Sequence, residues 1–171
     1  MISFKKATKV DIPQIQELAK KSWNSAYQNI ISQDQIDYML QQMYSEEEIS
    51  SHLENPNYHY YLILKDKTAA GFIGFEFHYE NSTTKLHRIY LLEDFKGQGL
   101  GKAAINFLKG KTSETSDKRI ILNVNKNNNA KQVYESQGFT TYKEDIFDIG
   151  NGYVMDDYIF QKSLITKIPQ L

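Results

Sequence analysis

The chain has 171 residues, of which 40% are hydrophobic and 24% are charged, as is usual for a globular protein, and we expect one domain over residues 1–171. A formal net charge of −1, with arginine at only two positions, argues against a nucleic-acid or membrane surface as the partner. The absence of cysteine excludes disulfides, thiolate metal sites and thiol nucleophiles. Together with the lack of a signal-peptide or membrane-spanning pattern, it favours a cytoplasmic location.

The N-terminal part is predicted to form one strand followed by helices. Residues 2–7 indicate a short strand. A helix should begin at the start signals Asp11 and Pro13, because the apolar residues after them recur at helical spacing. A second helix is predicted over residues 32–43, and Ser45 with three glutamates behind it indicates the N-cap of a third helix.

The middle of the chain changes from helical to strand character. Residues 58–64, 69–79 and 83–92 are rich in aromatic and β-branched side chains, and polar turn residues separate them. Such short, closely connected strands favour an antiparallel meander.

The C-terminal part alternates helices and strands. The predicted elements are a helix from about residue 100, a loop over 110–118, an apolar strand over 120–124, a helix that begins in the asparagine run, two strands over 139–164 and a frayed end over 165–171. Seven strands interleaved with helices in this order predict a mixed α/β fold of the α+β type around one central sheet.

The stretch FKGQGLGKAAI, residues 95–105, places three glycines directly before a predicted helix. Such a turn favours close approach of the backbone to a phosphate. A dinucleotide fingerprint is disfavoured because a meander precedes the turn and no acidic residue closes the next strand. A P-loop is disfavoured because the spacing is short and Ala103 stands where a magnesium-binding hydroxyl is needed. A tight turn without a ligand is the remaining alternative.

A second motif lies in NVNKNNNAKQVYESQGF, residues 123–139. The glycine turn, the apolar strand, Asn127-x-x-Ala130-x-x-x-Tyr134 and Gly138-Phe139 together resemble the GNAT superfamily of acyl-CoA-dependent N-acyltransferases. The resemblance covers nearly the whole chain. It implies a mostly antiparallel sheet of about seven strands that is splayed between strands 4 and 5, and acetyl-CoA as the cofactor.

The resemblance also implies which residues bind coenzyme A. The matched positions are Leu91, Leu92, Lys96, Gly97, Gln98, Gly99, Leu100, Gly101, Lys102, Asn127 and Tyr134. Lys96 departs from the arginine or glutamine of the family and lacks the guanidinium fork, which should weaken its contact with the pyrophosphate. Asn127 stands in a run of asparagines, so Asn128 and Asn129 are alternatives for the contact with pantetheine.

Two catalytic roles follow from the same resemblance. Tyr134 is expected to donate a proton to the departing thiolate, because a phenol with a pKa of about 10 remains protonated at neutral pH. His87 is expected to be the base that serves the attacking amine, on the same side of its strand as Leu91, with Glu76 as the alternative. The four histidines show no metal-ligand spacing, so we expect no metal site.

The acceptor is expected to be a small-molecule amine. The stretch YMLQQMYSEEEI, residues 38–49, is similar to the branch that acetylates polyamines such as spermidine, and the acidic residues that would attract a polycation are Asp34, Asp37 and Glu46 to Glu48. A protein or peptide acceptor and a non-catalytic CoA-binding module are the alternatives. A homodimer is also compatible with the family resemblance.

Overall fold

Seven strands form one sheet in the computed structural model, which describes residues 1–164. The strands are β1 (Ile2–Lys6), β2 (Tyr58–Lys65), β3 (Thr68–Glu80), β4 (Thr83–Leu91), β5 (Arg119–Asn125), β6 (Thr140–Gly150) and β7 (Tyr153–Ser163). The helices are α1 (Ile12–Ala26), α2 (Gln33–Met43), α3 (Glu46–Glu54), α4 (Leu100–Ser113) and α5 (Ala130–Ser136). The predicted order of elements is therefore confirmed.

The sheet has the strand order β1-β2-β3-β4-β5-β7-β6, and every neighbouring pair is antiparallel except β4 and β5. The parallel pairing of β4 with β5 ends at Leu86 and Leu122, although β4 continues to Leu91 and β5 to Asn125. The two strands therefore part in the middle of the sheet. This confirms the predicted fold class, including the splay between strands 4 and 5.

Each face of the sheet has its own apolar core. On the α1 face, helices α1 to α3 pack against the sheet through side chains such as Trp23 and Phe72. On the α4 face, helices α4 and α5 pack against it through side chains such as Leu108 and Phe160. Burying one such side chain stabilises the fold by about 1.5–3 kcal/mol. Side chains of β4 enter both cores, whereas the β5 side chains of these clusters belong to the α4-face core.

A bulge in β4 decides which side chains face the α1 core. The β3–β4 register passes from Gly74 opposite Arg88 to Phe75 opposite Leu86, which leaves His87 as an extra residue. His87 and the following arginine consequently both contact α1-face tyrosines, whereas Leu91 packs on the α4 face. The prediction that His87 shares the side of Leu91 is wrong, because one inserted residue reverses the alternation along the strand.

The prediction of a loop over residues 110–118 is wrong for residues 110–113. Helix α4 continues through the exposed Gly110 to Ser113, because the fully buried Leu108 and Thr112 hold its last turns against the sheet. A glycine lowers the helix propensity of its segment, but packing of the neighbouring residues against the sheet can outweigh this effect.

The predicted fraying over residues 165–171 lies outside the described residues. Within residues 1–164, no helix is both long and apolar enough to cross a membrane.

Candidate functional site

The gap between β4 and β5 is the mouth of a cavity of about 620 Å³. Its walls are the splayed parts of β4 and β5, the C-terminal end of α1, the start of α4, and α5 with the asparagine run before it. Volumes of this order are typical of sites for small molecules and cofactors. Because the cavity reaches both faces of the sheet, it can hold one ligand from the α4 face and another from the α1 face.

The glycine turn forms the α4 end of this cavity. Gly99 is the N-cap residue of α4 and adopts a left-handed conformation with φ 82°, and Gly97 has φ 79°. A Cβ atom at either position would meet nothing within 4 Å, so the space beside both backbones is open. The free N–H groups and the dipole of a 14-residue helix favour an anion in that space. The turn fits a pyrophosphate group.

The other residues of the turn differ in their relation to the cavity. Lys96, Leu100, Gly101 and Lys102 all line it. The Nζ atom of Lys96 lies 3.0 Å from a carboxylate oxygen of Glu93, and the two side chains form an ion pair. Gln98 is not among the lining residues within the described chain, and its side chain donates a hydrogen bond to the carbonyl of Asp94 at 3.2 Å.

The backbone of β4 beyond Leu86 offers hydrogen-bonding groups towards the gap. Leu91 lines the cavity and pairs with Gly71 of β3 on its other side. Leu92 instead packs on the α1 face, and its N–H donates to the carbonyl of Ala70 at 2.8 Å. The part of β4 that ends at Leu91 can therefore pair with an extended arm of a ligand.

The structure distinguishes among the three asparagines. Asn128 and Asn129 line the cavity, whereas the exposed Asn127 is absent from the lining among the described residues. The backbone N–H of Asn127 donates to the side-chain oxygen of Asn125 at 2.9 Å. This tight turn directs the chain so that the next two residues reach the cavity wall.

Tyr134 of α5 lines the cavity and is only 8% exposed. Its ring packs edge-on against Phe139 and Phe160, with centroid distances of 6.0 and 6.4 Å. Its hydroxyl makes no hydrogen bond to a described residue. Burial raises the pKa of Tyr134 above its ordinary value. The phenol is therefore protonated at neutral pH and available as a donor.

His87 lines the cavity and is hydrogen-bonded to Glu76, which is not a lining residue among those described. The Nε2 atom of His87 lies 3.0 Å from a Glu76 carboxylate oxygen. Since a carboxylate only accepts, the ring proton belongs on Nε2 and the lone pair on Nδ1. Burial, together with the charges of Lys85 and Arg88, lowers the pKa of His87 to about 3, so the ring is neutral at pH 7.

Arg88 is a site residue that the sequence did not single out. It lines the cavity, yet it is only 6% exposed. Its guanidinium lies over the ring of Tyr44 at 4.6 Å and donates from Nη1 to the hydroxyl of Tyr60. An arginine directly after a histidine and directly before the apolar run of residues 89–92 is the signal that could have drawn attention to it.

A buried carboxylate lies on β7, opposite Asn125 of β5. Asp157 of β7 is 7% exposed, and its Oδ1 atom has no hydrogen-bond partner in the described chain. Burial raises the pKa of Asp157 to about 6. The neighbouring Asn123 side chain is exposed and lines the cavity. Neither residue was predicted, because their proximity depends on the pairing of β5 with β7.

A sheet that parts between two parallel strands, with a glycine turn and a helix N-terminus at the opening, defines the class of acyl-CoA-dependent N-acyltransferases. The family model of the acetyltransferase (GNAT) domain matches residues 27–154, and the chain belongs to this family. The protein is therefore a GNAT N-acetyltransferase, and its cofactor is acetyl-CoA.

Relatives and solved structures of this family resemble nearly the whole chain. An uncharacterized N-acetyltransferase of Lactobacillus delbrueckii subsp. lactis is 24% identical over 162 residues, which are 91% of this chain and 93% of that protein. The PaiA N-acetyltransferase of Thermoplasma acidophilum, solved with coenzyme A, has a TM-score of 0.77 at 20% identity and covers 95% of this chain and 99% of its own. A spermidine N-acetyltransferase SpeG chimera from Vibrio cholerae and hSSAT has a TM-score of 0.72 at 18% identity, covering 95% of both chains.

Proposed function

We propose that the enzyme transfers the acetyl group to a primary amine by direct attack within the cavity, with no acetylated protein intermediate. The observation that supports this most directly is the hydroxyl of Tyr134 beside the gap in the sheet, which is protonated, buried and without a hydrogen-bond partner among the described residues. The absence of cysteine removes the strongest candidate for a covalent nucleophile. Acetyl-CoA supplies the activated acetyl thioester.

The α4 end of the cavity is proposed to hold the pyrophosphate of the cofactor. Backbone N–H groups at Gly99, Leu100 and Gly101 would donate to it, and Lys96 and Lys102 would add positive charge. The free edge of β4 up to Leu91 would pair with the pantetheine arm, as an added strand does. Asn128 or Asn129 would complete this contact from the opposite wall.

Tyr134 is proposed to protonate the departing sulfur. An ordinary thiol has a pKa of about 8.5 and a phenol one of about 10. The raised pKa of Tyr134 keeps its proton in place until negative charge develops nearby. A hydroxyl that already donated to the protein would have to break that bond first, and Tyr134 has none to a described residue.

His87 is proposed to receive the amine. A primary amine of pKa about 10.4 is neutral in only about one molecule in a thousand at pH 7.4, and forming the neutral species costs about 4 kcal/mol. A ring with a pKa of about 3 is a weak base towards an ammonium group. His87 therefore accepts at Nδ1 from an amine that is already neutral, and Glu76 stabilises the positive charge that then develops on the ring.

Spermidine or a related polyamine is one acceptor hypothesis, supported by the resemblance in residues 38–49 and by the fold shared with a spermidine N-acetyltransferase chimera. The acidic residues that motivated it lie elsewhere. Asp34 and Asp37 are exposed on α2, and Glu48 pairs with His52 at 3.1 Å. Among the described residues, none of these carboxylates lines the cavity. The acceptor therefore has to be determined by a panel of amines.

The test measures thiol release from acetyl-CoA with primary amines and lysine-containing peptides, for the wild type and for Tyr134→Phe. We expect kcat to fall about 10²- to 10³-fold in the variant, because the acid is lost. The affinity for CoA should stay within twofold. Tyr142→Phe is the matched control, since Tyr142 lies exposed on β6, and it should behave as the wild type.

Equal rates in the wild type and Tyr134→Phe would refute the proposed role of Tyr134. CoA binding without acetylation of any amine or peptide would refute the proposed reaction and favour a non-catalytic module. Acetylation confined to peptides would replace the small amine with a protein acceptor.

A further inference from the structure

We propose that the acceptor carries a carboxylate group that Arg88 binds, so that the substrate is an amino-carboxylate and not a polycation. This inference rests on the proposed function, since it names the substrate class of the same cavity. It is carried by the burial of Arg88, by the partners of its guanidinium and by its place beside His87.

Arg88 carries a buried charge that no described carboxylate neutralises. Within residues 1–164, its fully buried Nε atom has no hydrogen-bond partner, and only Nη1 donates, to the hydroxyl of Tyr60. Glu48 and Glu76 are each hydrogen-bonded to a histidine, His52 and His87 respectively, and no carboxylate of the described residues lies within ion-pair distance of Arg88. An ion held out of water without a counterion destabilises the folded protein. A ligand that brings the counterion removes this cost.

The tyrosines around Arg88 hold its guanidinium without neutralising it. Tyr44 stacks on it at 4.6 Å and Tyr60 lies at 5.9 Å. Burial raises the pKa of Tyr44, Tyr58 and Tyr60 above the ordinary value, so all three hydroxyls stay neutral. Aromatic faces attract the cation and restrict its motion, but they leave its full charge in place. The result is a rigid, positively charged fork.

Arg88 is next to His87 in the wall of the cavity. The bulge in β4 turns His87 and Arg88 to the same face of the sheet, and both residues line the cavity. A guanidinium binds a carboxylate through two parallel hydrogen bonds, which orients the bound molecule as well as retaining it. A carboxylate at Arg88 therefore places the remainder of the acceptor beside His87. A polyamine at this position would instead meet a like charge in a poorly solvated site.

The first arm of the test uses the wild type with matched acceptors. Each ω-amino acid from glycine to 6-aminohexanoate is compared with the amine that lacks its carboxyl group, and L-lysine is compared with cadaverine and spermidine. We expect kcat/KM to be at least tenfold higher for the carboxylate of the best pair. The optimal chain length measures the reach from Arg88 to the acetyl group.

The second arm changes the guanidinium. Arg88→Met keeps the length of the side chain without its charge, and we expect it to lower kcat/KM about 100-fold for carboxylates, mainly through KM. Amines without a carboxylate should lose at least tenfold less than the carboxylates do. Arg88→Lys should restore part of the preference. Arg119→Met is the matched control, because that arginine of β5 already bonds to Thr83, Gln161 and Glu80 and does not line the cavity.

The third arm measures calorimetric binding of the same compounds to the CoA-bound protein. Binding of carboxylates that is lost in Arg88→Met, without turnover, would refute the proposed function and support this inference. A wild type that binds and acetylates amines equally with and without a carboxylate would overturn the inference. An equal loss for every acceptor in Arg88→Met would also overturn it. If that variant does not fold, the wild-type comparison decides.

Discussion

At the scale of single residues, His87 shows how burial changes the chemistry expected from composition. An unperturbed histidine titrates near pH 6.5 and would serve as a base around neutrality. In the cavity wall, burial and two neighbouring cations lower the pKa of His87 to about 3. Its hydrogen bond to Glu76 selects the tautomer with the lone pair on Nδ1. The residue is therefore suited to orienting a neutral amine.

The lowered pKa predicts an unusual pH profile. Because the ring stays neutral above its depressed pKa, log kcat/KM for a primary amine should rise with a slope of about 1 from pH 6.5 to 9, following the neutral fraction of the amine. His87→Gln should lower kcat about 10- to 100-fold and leave this slope unchanged. Initial rates across the pH range check both expectations.

A wild-type limb near pH 6.5 that disappears in His87→Gln would contradict this assignment, because it would show that His87 titrates in the working range. Asp157→Asn is the necessary control. The pKa of Asp157 is raised to about 6, so this carboxyl can produce a limb of its own.

At the scale of elements, the start of helix α4 could be recognised in the sequence, whereas its end is explained only by packing against the sheet. Its start depends on the left-handed conformation of Gly99, for which a side chain costs about 1–2 kcal/mol. Its end runs through Gly110, which has open space around it. The two glycines therefore have different roles. Gly99 is required for the conformation of the binding turn, whereas Gly110 is tolerated inside the helix.

Alanine substitutions test these two roles separately. Gly99→Ala should lower stability by about 1–2 kcal/mol and weaken CoA binding more than tenfold, because its methyl group enters the open space at the helix start. Gly110→Ala should raise stability by about 0.5–1 kcal/mol and leave CoA binding unchanged. Denaturant unfolding and CoA titration measure the two effects. Unchanged CoA affinity in a folded Gly99→Ala protein would place the pyrophosphate elsewhere.

At the scale of the whole molecule, the gap between β4 and β5 results from the bulge and the two cores. Pairing ends at Leu86, directly before the bulge at His87, and a bulge increases twist and bends its strand. Helices on opposite faces then hold the separated strands in place. The enzyme consequently has a permanent opening through its sheet, which one strand alone could not form.

Cofactor binding should protect this opening from hydrogen exchange. We expect CoA to slow amide exchange in residues 87–91 of β4, whose groups towards β5 pair with no strand of the described chain, because the pantetheine arm would pair with them. Residues 61–65 of β2 pair on both sides and should not change. Mass spectrometry of peptides from both strands provides the comparison. Protection of β2 but not of β4 would contradict the proposed path of the arm.

The sequence alone determined the features that depend on residues close together in the chain. Ser32 and Ser45 were recognisable as helix starts, and each side chain indeed accepts a backbone hydrogen bond at 3.1 Å. The glycine turn and the motif that ends at Tyr134 likewise carry their information within short stretches. Together with the order of the strands, these local signals were enough for the fold class and the family.

Only the tertiary structure decided which side chains meet in the cavity. The face that His87 presents depends on a bulge in its pairing with β3, and the proximity of Asp157 and Asn123 depends on the register of β7 against β5. The burial of the Arg88 charge depends on the rings of Tyr60 from β2 and Tyr44 from the end of α2, which pack around it only in the folded protein. Register, burial and charge compensation arise between residues far apart in the chain, and for this physical reason no local pattern predicted them.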